Sequence, residues 1–133
     1  MKPQINLIGI LSDDVPRLAA FYRDLLGFKI ELDYGEHVEF ESPGVRFAIS
    51  ARSTMQNVTG NSEYSKTPQG HAFELAFLCD SSEQVDSTYD ELIAKGASPI
   101  QPAADMPWGQ RTAFFADPDG NIHEIFANLP QSD

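Results

Sequence analysis

The chain has 133 residues, 41% hydrophobic and 11% aromatic, which is enough for one folded domain with a real core and too apolar for intrinsic disorder. Its 9 Lys and Arg stand against 20 Asp and Glu, a formal net charge of −11, which repels nucleic acid and anionic membranes and excludes both as expected partners. No apolar run reaches membrane-spanning length, and the single Cys79 excludes an internal disulfide or a cysteine-rich metal centre, so a reducing cytoplasm is the expected compartment.

The opening MKPQINLIGILSDD has one basic residue and a short apolar run ending in acids, which fits a first strand over residues 5–11 rather than a signal peptide. Asp13 or Asp14 then caps a helix with Pro16 in its first turn. Val15, Leu18, Phe21, Tyr22, Leu25 and Leu26 recur at helical spacing, and Gly27 stops the helix. FKIELDY and EHVEFES alternate around a tight Tyr34-Gly35 turn and read as a hairpin, and VRFAISA over 45–51 is a further strand. Residues 52–68 are polar and read as a long loop. HAFELAFLC over 71–79 is a strand, Ser81 or Ser82 caps a helix with the stripe Val85, Thr88, Tyr89, Leu92 and Ile93, and Gly96 ends it. ASPIQP over 97–102 is a short strand, followed by a loop with Met106-Pro107-Trp108-Gly109. QRTAFFA and NIHEIFA are strands joined by the Asp117-Pro118-Asp119-Gly120 turn.

The order strand, helix, three strands therefore occurs twice, in repeats of about 4–51 and 70–128 within one domain. Each repeat would curve a small sheet, and the pair would enclose a cleft lined by alternate strand residues, with the helices outside. The fold class expected is α+β, a curved mixed sheet built from two βαβββ repeats.

Several side chains invite a chemical reading. Glu124 interrupts a short apolar strand between His123 and Ile125, as a metal ligand, general base, ligand contact or solvated residue would. His37, Glu39 and Glu41 share one face by alternation, read as a solvated outer face in preference to a metal face. His71 and His123 read as structural or surface residues. Trp108, the only tryptophan, sits on a loop, where it would stack on a planar ligand or plug the end of the sheet. Cys79 precedes a helix start but ends an apolar strand and reads as a buried inert thiol. No Ser-His-Asp arrangement, phosphate loop or nucleotide fingerprint is legible in the sequence.

The segments DDVPRLAAFYRDLLGFK, HAFELAF, VDSTYDELIAKGA and PWGQRTAFFADPDGNIHEIF together resemble the vicinal oxygen chelate superfamily of glyoxalases, extradiol dioxygenases and bleomycin-resistance proteins. The resemblance implies paired βαβββ units, a homodimer and a site inside the curved sheet. Metalloenzymes of that superfamily take ligands from four related positions, which fall here on Leu7, Ala48, Glu74 and Glu124. Leucine and alanine bind no metal, and two carboxylates without imidazole make a poor transition-metal site. Glu74 and Glu124 would face one cavity, where mutual repulsion leaves one carboxyl holding its proton, unless each is paired privately, for example with Arg46 or Arg111. The function this implies is metal-independent sequestration of a small molecule by a protein similar to the bleomycin-resistance group. Glu74, Glu124, Leu7, Ala48, Arg111 and Trp108 would form the ligand-binding set, a cationic planar ligand is favoured, and no cofactor is needed. The alternative is a glyoxalase-like lyase or isomerase, or a dioxygenase, with an atypical divalent-metal site in which Glu124 is ligand or base.

Overall fold

The computed structural model describes residues 1–131. The described chain divides into two compact units, the first ending at Gln69 and the second beginning at Gly70.

The first unit runs β1 (Leu7–Ser12), α1 (Val15–Asp24), β2 (Ile30–Asp33), β3 (His37–Phe40) and β4 (Arg46–Ala51). Its four-stranded sheet has the order β1-β4-β3-β2, with β1 parallel to β4 and the other pairs antiparallel. Asp14 caps α1 by accepting a hydrogen bond from the Arg17 N–H, and Pro16 lies in the first turn, where its missing donor costs nothing. The helix buries Val15, Leu18, Phe21 and Tyr22 of the expected stripe, whereas Leu25 caps its C-terminus and Leu26 lies beyond it, both half-buried. Tyr22 packs edge-on against Phe47 at 5.2 Å between ring centres, and Phe40 stacks on Phe47 at 5.3 Å. These rings lie on the helix side of the sheet, because Phe40, Phe47 and Ile49 alternate away from Glu39, Ala48 and Ser50.

The expected loop over 52–68 is corrected. Residues Arg52–Thr59 form α2 and Ser62–Ser65 a short 3-10 helix. The N-cap of α2 is Ala51, which makes no side-chain capping bond, and none of its residues is buried. A helix with neither a cap signature nor an apolar stripe looks like a polar loop in sequence. It ends where Gly60, at φ 68°, enters the left-handed region and donates its N–H to Gln56 O.

The second unit repeats the plan as β5 (Ala76–Leu78), α3 (Ser82–Ala94), β6 (Ser98–Met106), β7 (Gln110–Ala116) and β8 (Ile122–Asn128), in the sheet order β5-β8-β7-β6. Ser81 caps α3 through the Gln84 N–H, and Val85 and Leu92 are its buried residues. The strand expected over 71–79 shrinks to three residues. Leu75 O still accepts the Glu124 N–H of β8 at 3.0 Å, but the Leu75 N–H donates to the His123 side chain, at Nδ1 and 3.0 Å, instead of to a backbone carbonyl, and the strand stops short of residues 71–74. The strand expected over 97–102 instead runs on to Met106, leaving a tight turn in which the Gly109 N–H donates to Met106 O at 3.1 Å. Pro102 is tolerated there because β6 is an edge strand with an irregular register between Gln101 and Ala104. Among the described residues no helix is long and apolar enough to cross a membrane.

Candidate ligand-binding site

The turn that opens the last hairpin is built around one side chain. The Asp117 carboxylate is buried and accepts from the Asp119 N–H, the Asn121 N–H and Asn121 Nδ2, at 3.0, 2.9 and 2.9 Å. Gly120, at φ 85°, closes the turn onto Asp117 O at 2.9 Å. From there β8 alternates. His123, Ile125 and Ala127 are buried against the helix side, where His123 meets the Phe77 and Phe115 rings edge-on. Glu124 and Phe126 therefore project from the opposite, open face.

On that face Glu124 is registered opposite Phe114 on β7 and Ala76 on β5, and Glu74 stands two residues before Ala76. Glu124 is half-buried, and its carboxyl titrates above the ordinary carboxylate range, first because of burial and second because of repulsion from Glu74. Beside the pair lies a pocket of about 340 Å³ lined by His71, Ala72, Phe73, Glu74 and Ile122, with Phe73 51% exposed. On the same face the Thr112 hydroxyl is fully buried with no hydrogen-bond partner among the described residues, a feature that sequence reading passed over.

The first unit has the same register relation. Gly9 pairs with Ala48, and Leu7 stands two residues before Gly9, so Leu7 and Ala48 occupy the positions that Glu74 and Glu124 hold in the second unit. Leu7 is 41% exposed and Ala48 is buried, and neither offers a donor atom. Among the described residues no group of three His, Cys, Asp or Glu side chains lies together as a metal site would require.

Other expected residues stand elsewhere. Arg111 lies on the helix side of β7 and pairs with Asp86 at 2.8 Å and Asp105 at 3.0 Å, apart from Glu124. Arg46 pairs with Glu39. Trp108 is 61% exposed, which corrects the reading of a buried plug. Its indole N–H donates to Gln110 Oε1 at 3.0 Å, Gln110 in turn donates to Asn128, and the three border a separate pocket of about 510 Å³ with Leu129 and Pro130. Gln110, which holds Trp108, and Phe114, which stands opposite Glu124, are four positions and ~13 Å apart along β7.

The solvated face expected for His37, Glu39 and Glu41 is corrected at Glu39. Glu39 is 7% exposed and bonded to both His37 and Arg46, and these interactions hold its carboxyl below the usual range. Glu41 lies outside this group, exposed beside a groove of about 570 Å³ that also includes Phe28 and Lys29. Cys79 is buried, and burial pushes its thiol up, as expected of an inert residue.

Comparison with known proteins fits this geometry. The chain is 33% identical over 125 residues to an uncharacterized Bacillus subtilis protein, YraH, covering 92% of this chain and 96% of that one. A glyoxalase/bleomycin resistance protein/dioxygenase from Nocardioides superposes with a TM-score of 0.86 at 28% identity, covering 100% of this chain and 88% of that chain. A lactoylglutathione lyase from Agrobacterium tumefaciens shares the fold at a TM-score of 0.69 and 22% identity, over 93% of this chain and 92% of that one. The sequence pattern of the Glyoxalase/Bleomycin resistance protein/Dioxygenase superfamily matches residues 4–125, and the chain belongs to that superfamily.

Proposed function

We propose that this protein binds and sequesters a small organic cation without a metal, as the bleomycin-resistance side of its superfamily suggests. The observation that carries the reading is the Glu74–Glu124 pair beside the Phe73 pocket, with the Glu124 carboxyl raised above its ordinary range by burial first and by its neighbour second. Two carboxylates at an apolar-lined pocket repel each other until a positive charge lies between them. Phe73, Phe114 and Phe126 add aromatic surface suited to a planar cation. Trp108 joins the contact only for ligands long enough to span the sheet. The metal that catalytic relatives employ does not fit, because two of its four implied positions are Leu7 and Ala48, which offer no donor atom. A homodimer is the assembly that accompanies this reading; the exposed Ile5 and Leu7 at the sheet edge are the surface it would cover.

Cation binding and proton loss from Glu124 are linked on this account. Titration with the planar cation proflavine, in buffers of different ionisation enthalpy and below neutral pH, is expected to release protons, and affinity is expected to rise with pH through the elevated range of Glu124. Binding with no proton release, or equal affinity in Glu124→Gln, contradicts the proposal. The same elevated carboxyl favours a second reading, general acid–base catalysis by Glu124 in a glyoxalase-like lyase or isomerase. Turnover of a carbon acid that disappears in Glu124→Gln would select that reading.

A further inference from the structure

The open face of the first unit's sheet carries one hydrogen-bonded chain of side chains that the proposed function does not use. His37 and Glu39 alternate along β3, and Ser50 on β4 lies directly across from His37. The imidazole is held at both ends, with Nδ1 2.6 Å from Ser50 Oγ and Nε2 3.1 Å from Glu39 Oε1. Glu39 is buried and also accepts from Arg46 Nη2. Its carboxyl is held below the ordinary range, by the His37 hydrogen bond first and by Arg46 against the opposing effect of burial, so it is ionised at neutral pH. An ionised carboxylate only accepts, so the ring hydrogen sits on Nε2 and the Nδ1 lone pair faces the Ser50 hydroxyl. Arg46 already supplies Glu39 with a positive partner, so the imidazole is not needed to neutralise it. Both His37 and Ser50 remain partly exposed.

Carboxylate, imidazole and hydroxyl in that order are the arrangement that activates a serine. We propose that Ser50 is an activated nucleophile that accepts the acyl group of activated esters, with His37 as its general base and Glu39 as the residue that positions His37. Ser50 Oγ bonds to the acyl carbon, and the bond from that carbon to the leaving oxygen breaks. The Oγ proton passes to His37 Nδ1 and then to the leaving oxygen, which departs as the alcohol. Water then attacks the acyl-serine by the reverse route, His37 takes its proton and returns one to Ser50, and the carboxylic acid leaves. The neighbouring Ala51 N–H is committed to Glu36 O at 2.8 Å and cannot hold an oxyanion. The reaction is therefore confined to esters with good leaving groups, such as aryl esters, and excludes amides.

The test is to mix the full chain with p-nitrophenyl acetate and, separately, with a fluorophosphonate probe, and to locate adducts by peptide mass mapping. The expected result is a burst of roughly one p-nitrophenol per chain and an adduct on Ser50. Ser50→Ala abolishes both, and His37→Gln slows them by about 10²-fold, the typical contribution of a general base. Glu39→Gln slows acylation and Glu39→Asp restores part of it, whereas a purely structural Glu39 would leave the acylation rate of the folded variant unchanged. Melting curves confirm that each variant is folded. An adduct confined to lysine or tyrosine, a burst that survives Ser50→Ala, or no reaction of the folded wild type overturns the proposal. Because this face shares no residue with the Glu74–Glu124 pair, its failure would leave the cation-binding proposal standing.

Discussion

Glu124 shows how a single position separates into fold and function. Alternation alone places it opposite His123 and Ile125, and that much was legible in the sequence. What the sequence hides is why His123 is buried: its Nδ1 accepts the Leu75 N–H, a tie between residues 48 positions apart. Burial and Glu74 raise the folded-state pKa of Glu124 above its unfolded value, so the folded chain holds this proton more firmly than the unfolded one. The resulting contribution to stability is fully present below the unfolded pKa and is lost as pH rises through the folded pKa. Glu124→Gln should therefore be more stable than wild type at neutral pH, with the difference shrinking toward pH 4; equal melting temperatures at pH 7 would contradict this. Thr112 makes a related case. Its buried hydroxyl has no partner among the described residues, so Thr112→Val, nearly the same shape, should gain about 1 kcal/mol in urea unfolding, and a loss of that size would show an unseen hydrogen bond.

Elements were legible in proportion to how locally they are determined. The α1 and α3 starts follow from Asp14 and Ser81, whose side chains cap their own helices, so a few adjacent residues carry the signal. The Asp117-Pro118-Asp119-Gly120 turn is equally local. Asp117→Ala removes a buried carboxylate that accepts three hydrogen bonds and should cost about 2–4 kcal/mol, read as a lower urea midpoint with unchanged slope. A cost within experimental error would mean that Pro118 and Gly120 suffice to make the turn. By contrast, α2 has neither a side-chain cap nor a buried stripe, and β5 is set by parallel pairing with the distant β8, so neither extent could be read from neighbouring residues. The Ser50–His37–Glu39 chain was missed for the same reason: it forms across two strands, and alternation could not tell a solvated face from a networked one.

At the scale of the molecule, the repeat was visible because both units use the same order of elements and the same glycine stops, Gly27 and Gly96, each at positive φ. The register then fixes which residues are equivalent, and that equivalence gives the two units opposite chemistry: Leu7 and Ala48 in one, Glu74 and Glu124 in the other. A formal charge of −11 adds a long-range attraction for cations that salt should weaken. The most direct test is calorimetric titration of the chelator-treated protein, with proflavine in one series and Ni²⁺, Mn²⁺, Fe²⁺ and Zn²⁺ in another, repeated on Glu124→Gln. The account predicts proflavine binding without any metal, weakened at least ~10-fold in the variant, as expected for loss of a desolvated charge pairing. Tight uptake of a divalent metal near one per chain, lost in Glu124→Gln, would contradict it.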